Sequence, residues 1–180
     1  MNQTCCVFLG AATPVNPKFI QAAKNIGPLF KQANLKLIYG GAQRGLMGIL
    51  ADHAINAGVH ITGIMSDDLA DIEVTHPKLD NLIQTTTINL RKEQMIERSD
   101  FFIALPGGVG TYEEIFNAWC HIKISNSPKK IGLLNIDGFY DPFLESMDVM
   151  ERERFITPAH KQMILCEQTP EALIKNLMHR

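Results

Sequence analysis

Short apolar runs recur along the chain at Cys5–Leu9, Leu35–Tyr39, Val59–Ile64, Leu82–Thr86, Phe101–Leu105 and Ile131–Asn135. Each is continuous or nearly so, the pattern of strands buried on both faces rather than on one. Met163–Cys166 is a candidate seventh. Between the runs, apolar residues repeat at helical spacing: Phe19, Ala22, Ala23, Ile26, Leu29 and Phe30 form one stripe, and Leu46, Ile49, Leu50, Ala54 and Ala57 another. Asn16, Asp141 and Thr169 each precede a proline, as a capping side chain precedes a first-turn proline. Strands alternating with amphipathic helices predict an α/β protein, a Rossmann-like doubly wound parallel sheet of about six or seven strands with helices on both faces. At 180 residues, a single domain spanning 1–180 is expected.

Composition narrows the partners. Seventeen Lys and Arg against 19 Asp and Glu leave a net charge of −2, so no field of either sign would gather nucleic acid or an anionic membrane, and neither is an expected partner. No apolar run approaches the ~20 residues of a membrane span, and Met1–Thr4 lacks the basic start of a secretory signal, so a cytoplasmic protein is expected. Cys5, Cys6, Cys120 and Cys166 fit neither zinc spacing nor a secreted disulfide framework, and buried reduced thiols are expected. The histidines show no HxxxH or HExxH spacing, so no metal is expected. There is no GxSxG and no suggestive Cys–His pair. Trp119, at helical spacing from Ile115 and Ile122, reads as core rather than a base-stacking surface.

Doubly wound sheets place ligands beyond the carboxyl ends of their strands, which directs attention to the turns there. Three are glycine-rich: Gly10, Gly40 with Gly41, and Pro106–Gly110. In LPGGVGTYEE (Leu105–Glu114) a strand runs through glycines into a helix. Backbone amides and the helix dipole would there attract an anion, typically a phosphate. A tight strand-to-helix turn is the alternative. The Walker lysine and the GxGxxG spacing are both missing, which argues against triphosphate and NAD. Thr111 and Glu114 stand in the S/T-x-x-E relation of a capping box, a structural alternative to any chemistry at Glu114.

Ile88–Ser99 reads as a helix capped by Asn89, which would put Arg91 and Lys92 in its first turn against the macrodipole. Such cations call for an anion, either an acidic neighbour or a bound phosphate. GGAQRGLMG (Gly40–Gly48) is either a wall of the same pocket or close helix–strand packing through Gly45 and Gly48. Glu73, in the connection Ser66–Asp80, is a polar anchor or simply a solvated carboxylate.

Taken together, YGGxxxGLMG at Tyr39–Gly48, RK at Arg91–Lys92, PGGxGTxEE at Pro106–Glu114 and GLLNxDGFYDP at Gly132–Pro142 resemble the Lonely Guy family over almost the whole chain. That family comprises nucleoside 5′-monophosphate phosphoribohydrolases, including cytokinin-activating enzymes. The resemblance implies hydrolysis of the N-glycosidic bond of AMP or an N6-substituted AMP to free base and ribose 5-phosphate, by a Rossmann-like homodimer needing no cofactor. It assigns catalysis to Arg91 and Glu114. Substrate binding falls to Glu73, Lys92, Gly107, Gly108, Val109, Gly110, Thr111 and Glu113, with Gly40 and Gly41 as pocket wall. Departures from the family pattern fall at Leu9–Ala12 (commonly Cys-Gly-Ser-Ser), Ala42 (a third glycine), Ile88–Leu90 (a Met-His pair) and Cys120–His121 (Thr-Trp). The lost polar groups motivate one alternative, a non-catalytic nucleotide-binding or carrier module of the same fold. Amino-acid decarboxylation, a label attached to the family, would need a Schiff-base lysine for pyridoxal phosphate, and Lys92 is the lysine nearest the glycine loop in this reading.

Overall fold

The computed structural model describes residues 2–69 and 72–178. Met1 at the amino-terminal end, and residues 70 and 71 of the Ser66–Asp80 connection, lie outside the described residues. The chain runs β1 (Thr4–Phe8), α1 (Pro17–Gln32), β2 (Lys36–Tyr39), α2 (Gly45–Asn56), β3 (Ile61–Ser66), β4 (Asn81–Thr85), α3 (Ile88–Glu97), β5 (Phe101–Ala104), α4 (Val109–Ser125), β6 (Ile131–Leu134), α5 (Asp141–Arg152), α6 (Pro158–Lys161), β7 (Ile164–Glu167) and α7 (Pro170–Met178). All seven strands pair in parallel in the order β4-β3-β2-β1-β5-β6-β7. This is the doubly wound α/β sheet expected from the alternation, with the seventh strand present.

Because successive strand side chains point to opposite faces, β1 and β5 each feed two cores. Cys5, Val7, Phe101 and Ile103 join the buried stripes of α1, α2 and α7 on one side. Cys6, Phe8, Phe102 and Ala104 pack with α3, α4 and α5 on the other. The strand order reverses between β1 and β5, so the turns after these neighbours diverge to opposite faces and leave a crevice.

Three local expectations are corrected. Leu82–Thr86 is not buried on both faces: β4 is an edge strand, and Leu82 is exposed. Asp141 does not cap α5 but is its first residue, where its carboxylate accepts from Asn135 Nδ2 at 2.7 Å. Of the cysteines, Cys5 and Cys6 are buried, Cys166 is half-buried and Cys120 is exposed; all four are free thiols. The other capping residues act as expected, Asn16 accepting from Lys18 N and Thr169 from Ala172 N. Trp119 is core, with Nε1 donating to the His160 carbonyl.

Candidate active site

The crevice between β1 and β5 opens into a cavity of about 420 Å³. Gly10, Ala11 and Ala12 form one side and the start of α4, from Gly108 to Thr111, the other. Helix α4 begins earlier than the S/T-x-x-E spacing suggests. Its N-cap is Gly108, which offers no side-chain cap, so Thr111 already lies inside the helix and the capping box does not form. Glu114 is thereby released from a structural duty and turns inward, its side chain 13% exposed.

Its partner comes from α3. That helix starts two residues sooner than expected, capped by Thr87, whose hydroxyl accepts from Leu90 N; Asn89 is not the cap, and Arg91 is the fourth helical residue rather than the second. At this position Arg91 faces the sheet and is 5% exposed. Its Nε donates to the Ile64 carbonyl at 2.8 Å, and one terminal nitrogen donates to Glu114 Oε1 at 3.2 Å. Gly40 makes room for the guanidinium, since a Cβ there would overlap it. The anion that the two cations call for is therefore an acidic neighbour in each case, Lys92 pairing with Glu113 as Arg91 pairs with Glu114.

Electrostatics at Glu114 are a contest. Burial raises its pKa from the ordinary 4.5 to about 7, with Arg91 pulling the other way. Glu73 reaches the same cavity from the β3–β4 connection. Its Oε2 is buried without a hydrogen-bond partner among the described residues, and burial raises its pKa too. Its loop is pinned to the turn after β2: Gln43 N donates to Val74 O, His76 N donates to Gly41 O, and the buried His76 ring meets Asp52 at 3.2 Å. A desolvated carboxylate oxygen with no donor, in a cavity that also holds a guanidinium, is a ready acceptor for a ligand hydroxyl or N–H.

Of the residues singled out from sequence, Arg91, Glu114, Glu73, Gly40, Gly108, Val109, Gly110, Thr111 and Glu113 line this one cavity. Gly107, Gly41 and Lys92 are not among its lining residues. Gly107 packs behind the loop against Thr111 and Gly10, Gly41 (φ +85°) turns toward Gly63 and Ile64, and Lys92 sits beside the cavity with Glu113. The cavity also has an apolar lining that the sequence reading did not single out: Val7, Met47 and Leu69. Gly45 (φ +56°) and Gly48 serve packing, since a Cβ at Gly45 would overlap the Ala11 carbonyl and one at Gly48 the Gln43 carbonyl. Among the described residues no three His, Cys, Asp or Glu side chains cluster so as to hold a metal ion.

The family model described as "possible lysine decarboxylase" matches residues 47–177. A probable cytokinin riboside 5′-monophosphate phosphoribohydrolase of Oryza sativa subsp. japonica is 35% identical over 96% of this chain and 69% of its own length. A cytokinin riboside 5′-monophosphate phosphoribohydrolase of Arabidopsis thaliana is 34% identical over 96% of this chain and 80% of its own. The chain belongs to the Lonely Guy family. As a member it is an enzyme of the phosphoribohydrolase class. Among solved structures, the molybdenum cofactor binding protein of Rippkaea orientalis has a TM-score of 0.72 at 24% identity, covering 99% of this chain and 98% of that one. The molybdenum cofactor carrier protein of Chlamydomonas reinhardtii has 0.73 at 19%, covering all of both chains. At such identities these two share the fold of the Lonely Guy chain and nothing further is carried over from them. The decarboxylase label finds no lysine among the residues that line the cavity.

Proposed function

We propose that the protein hydrolyses the N-glycosidic bond of purine nucleoside 5′-monophosphates, AMP or an N6-substituted AMP such as a cytokinin riboside monophosphate, to free base and ribose 5-phosphate. The observation that carries this reading is the Arg91–Glu114 pair, a buried carboxylate held by a guanidinium in the cavity that the start of α4 walls. In this reading the 5′-phosphate rests on the uncapped amides of Gly108–Thr111, where the α4 dipole favours negative charge. Anchoring the phosphate fixes C1′ against Glu114 and so turns remote binding energy into orientation. As the C1′–N bond breaks, positive charge builds on the ribose ring, and the Glu114 carboxylate stabilises it and orients the attacking water. Arg91 keeps that carboxylate ionised and aimed. Glu73 accepts from a ribose hydroxyl or the base, and Lys92 with Glu113 borders the phosphate end.

Residues 1–180 act in this reading as one nucleotide-hydrolase domain, working as a cytoplasmic homodimer without a cofactor. Exposed Leu90 on α3 and exposed Phe116 and Ile124 on α4 support a partner copy on that side. Among the described residues no helix is long and apolar enough to cross a membrane.

The test is incubation of the purified protein with AMP, isopentenyladenosine monophosphate and the other common monophosphates, with chromatography of the products. Base and ribose 5-phosphate should appear in equal amounts. Binding of AMP without release of base would select a carrier role instead.

A further inference from the structure

The segment after β6 reads NIDGFYDP, and nothing in the proposed chemistry uses it. It carries a side chain buried below the glycine loop. Tyr140 is fully buried, and its hydroxyl donates to the Leu105 carbonyl at 2.7 Å, immediately before Pro106 and the loop glycines. The same ring packs at 5.8 Å against Tyr112 in the first turns of α4, immediately after Thr111. One residue therefore grips the loop at its entry and its exit.

The loop needs such support because it has little of its own. Gly108 and Gly110 face open space, and Val109 is 89% exposed. Leu105 is fixed on its other side by its amide, which donates to Phe8 O at 2.9 Å. Tyr140 is itself held. Its amide donates to Asn135 Oδ1 at 2.7 Å, and the buried Asn135 is fixed by its own amide on Glu167 O at 2.8 Å and by its Nδ2 on Asp141 Oδ1. The sharp reversal between them uses left-handed backbone at Asp137 (φ +52°) and Gly138 (φ +73°), residues that tolerate it. The segment has the form of a bracket whose product is the position of one phenol.

We propose that Tyr140, set by Asn135, is a positioning residue that holds the Gly107–Thr111 loop in register to receive the substrate's phosphate. The proposal rests on the nucleotide reading above. Tyr140 acts through the loop and not on the catalytic pair: among the described residues it is not in the lining of the cavity, and its hydroxyl is bonded to the Leu105 carbonyl rather than to Glu114 or Arg91.

The experiment compares Tyr140→Phe with Tyr39→Phe. Tyr39 is a second fully buried tyrosine, whose hydroxyl donates to the Ala42 carbonyl at 3.2 Å in the other glycine turn, so its loss is an equivalent structural injury away from the phosphate loop. In Tyr140→Phe, KM for AMP and the inhibition constant of ribose 5-phosphate should both rise about three- to tenfold, the effect of one lost buried hydrogen bond, with a smaller fall in kcat from the looser placement of C1′ and an unshifted pH midpoint. In Tyr39→Phe both constants should stay within twofold of wild type. Should Tyr140→Phe not fold, Asp141→Ala, at an exposed position, loosens Asn135 and should move the same two constants in the same direction by about two- to fivefold. Unchanged constants in the folded Tyr140 or Asp141 variant, or equal shifts in Tyr39→Phe, would overturn the positioning role while leaving the nucleotide reading intact. A wild-type protein that neither hydrolyses AMP nor binds ribose 5-phosphate would overturn both.

Discussion

Replacing Glu114 by Gln is expected to lower base release from AMP by about a hundred- to ten-thousandfold, measured as product formed per enzyme in single-turnover and steady-state assays. Gln keeps the shape and can still accept from Arg91, but it cannot carry the charge that opposes the developing oxocarbenium character. The same residue sets the pH response. Its carboxyl group titrates near 7 in the folded protein, and the ionised form is the working one, so wild-type kcat/KM should rise with pH through a midpoint near 7. Stability moves the opposite way. The folded protein holds this proton more tightly than the unfolded chain, so the contribution is fully present below about pH 4.5 and is lost as pH rises through about 7. The amplitude is up to about 3 kcal/mol. Denaturant unfolding of Glu114→Gln across that window should therefore be flatter with pH than wild type. An equal slope in the two proteins, or turnover within tenfold of wild type, would remove Glu114 from the role given to it.

The second large effect belongs to Arg91→Ala, which should lose base release and also stability, because it leaves a carboxylate buried without its guanidinium. Breaking one side of a buried pair costs about 3–5 kcal/mol. Residual activity should shift its rising limb to higher pH, since Arg91 is the charge that lowers the Glu114 pKa. Arg91→Lys should not restore function: Nε on the Ile64 carbonyl and a terminal nitrogen on Glu114 are served at once by the planar fork, and a single ammonium reaches one of them. The double variant Arg91→Met/Glu114→Gln should regain part of the stability of the single Arg91 change, with no recovery of turnover, as a coupled pair requires. Simple additivity in urea unfolding, or an Arg91→Ala protein as stable as wild type, would show that the pair is not the buried unit described.

How much of this was readable from the chain follows from what is local and what is not. Most strands are legible because they are short continuous apolar runs, and a doubly wound sheet follows from their alternation with helices, whereas the strand order that puts the switch point between β1 and β5 is not local information. Helix starts were less so. Thr87 and Asn89 are both competent caps two residues apart, and periodicity cannot choose between them, so the pattern alone puts Arg91 two positions too near the helix start. Thr111 and Glu114 have the spacing of a capping box, yet the glycine at 108 lets α4 begin before them, and a residue inside a helix cannot cap it. The two cations at 91 and 92 signalled a missing anion, but the partners lie on another helix, beyond any local pattern. Met47 and Leu69 gave no signal because an apolar residue facing a cavity looks the same in sequence as one facing a core. Cys120 departs from the general habit of cysteine, and its i+4 spacing from Phe116 and to Ile124 puts it on their exposed face.

The most direct test is a crystal structure of the slowed Glu114→Gln protein with AMP. Phosphate oxygens on the amides of Gly108–Thr111 and C1′ against the side chain at 114, with Arg91 still on the Ile64 carbonyl, is the predicted result. AMP seated elsewhere, or seated there with C1′ turned away from position 114, would contradict it.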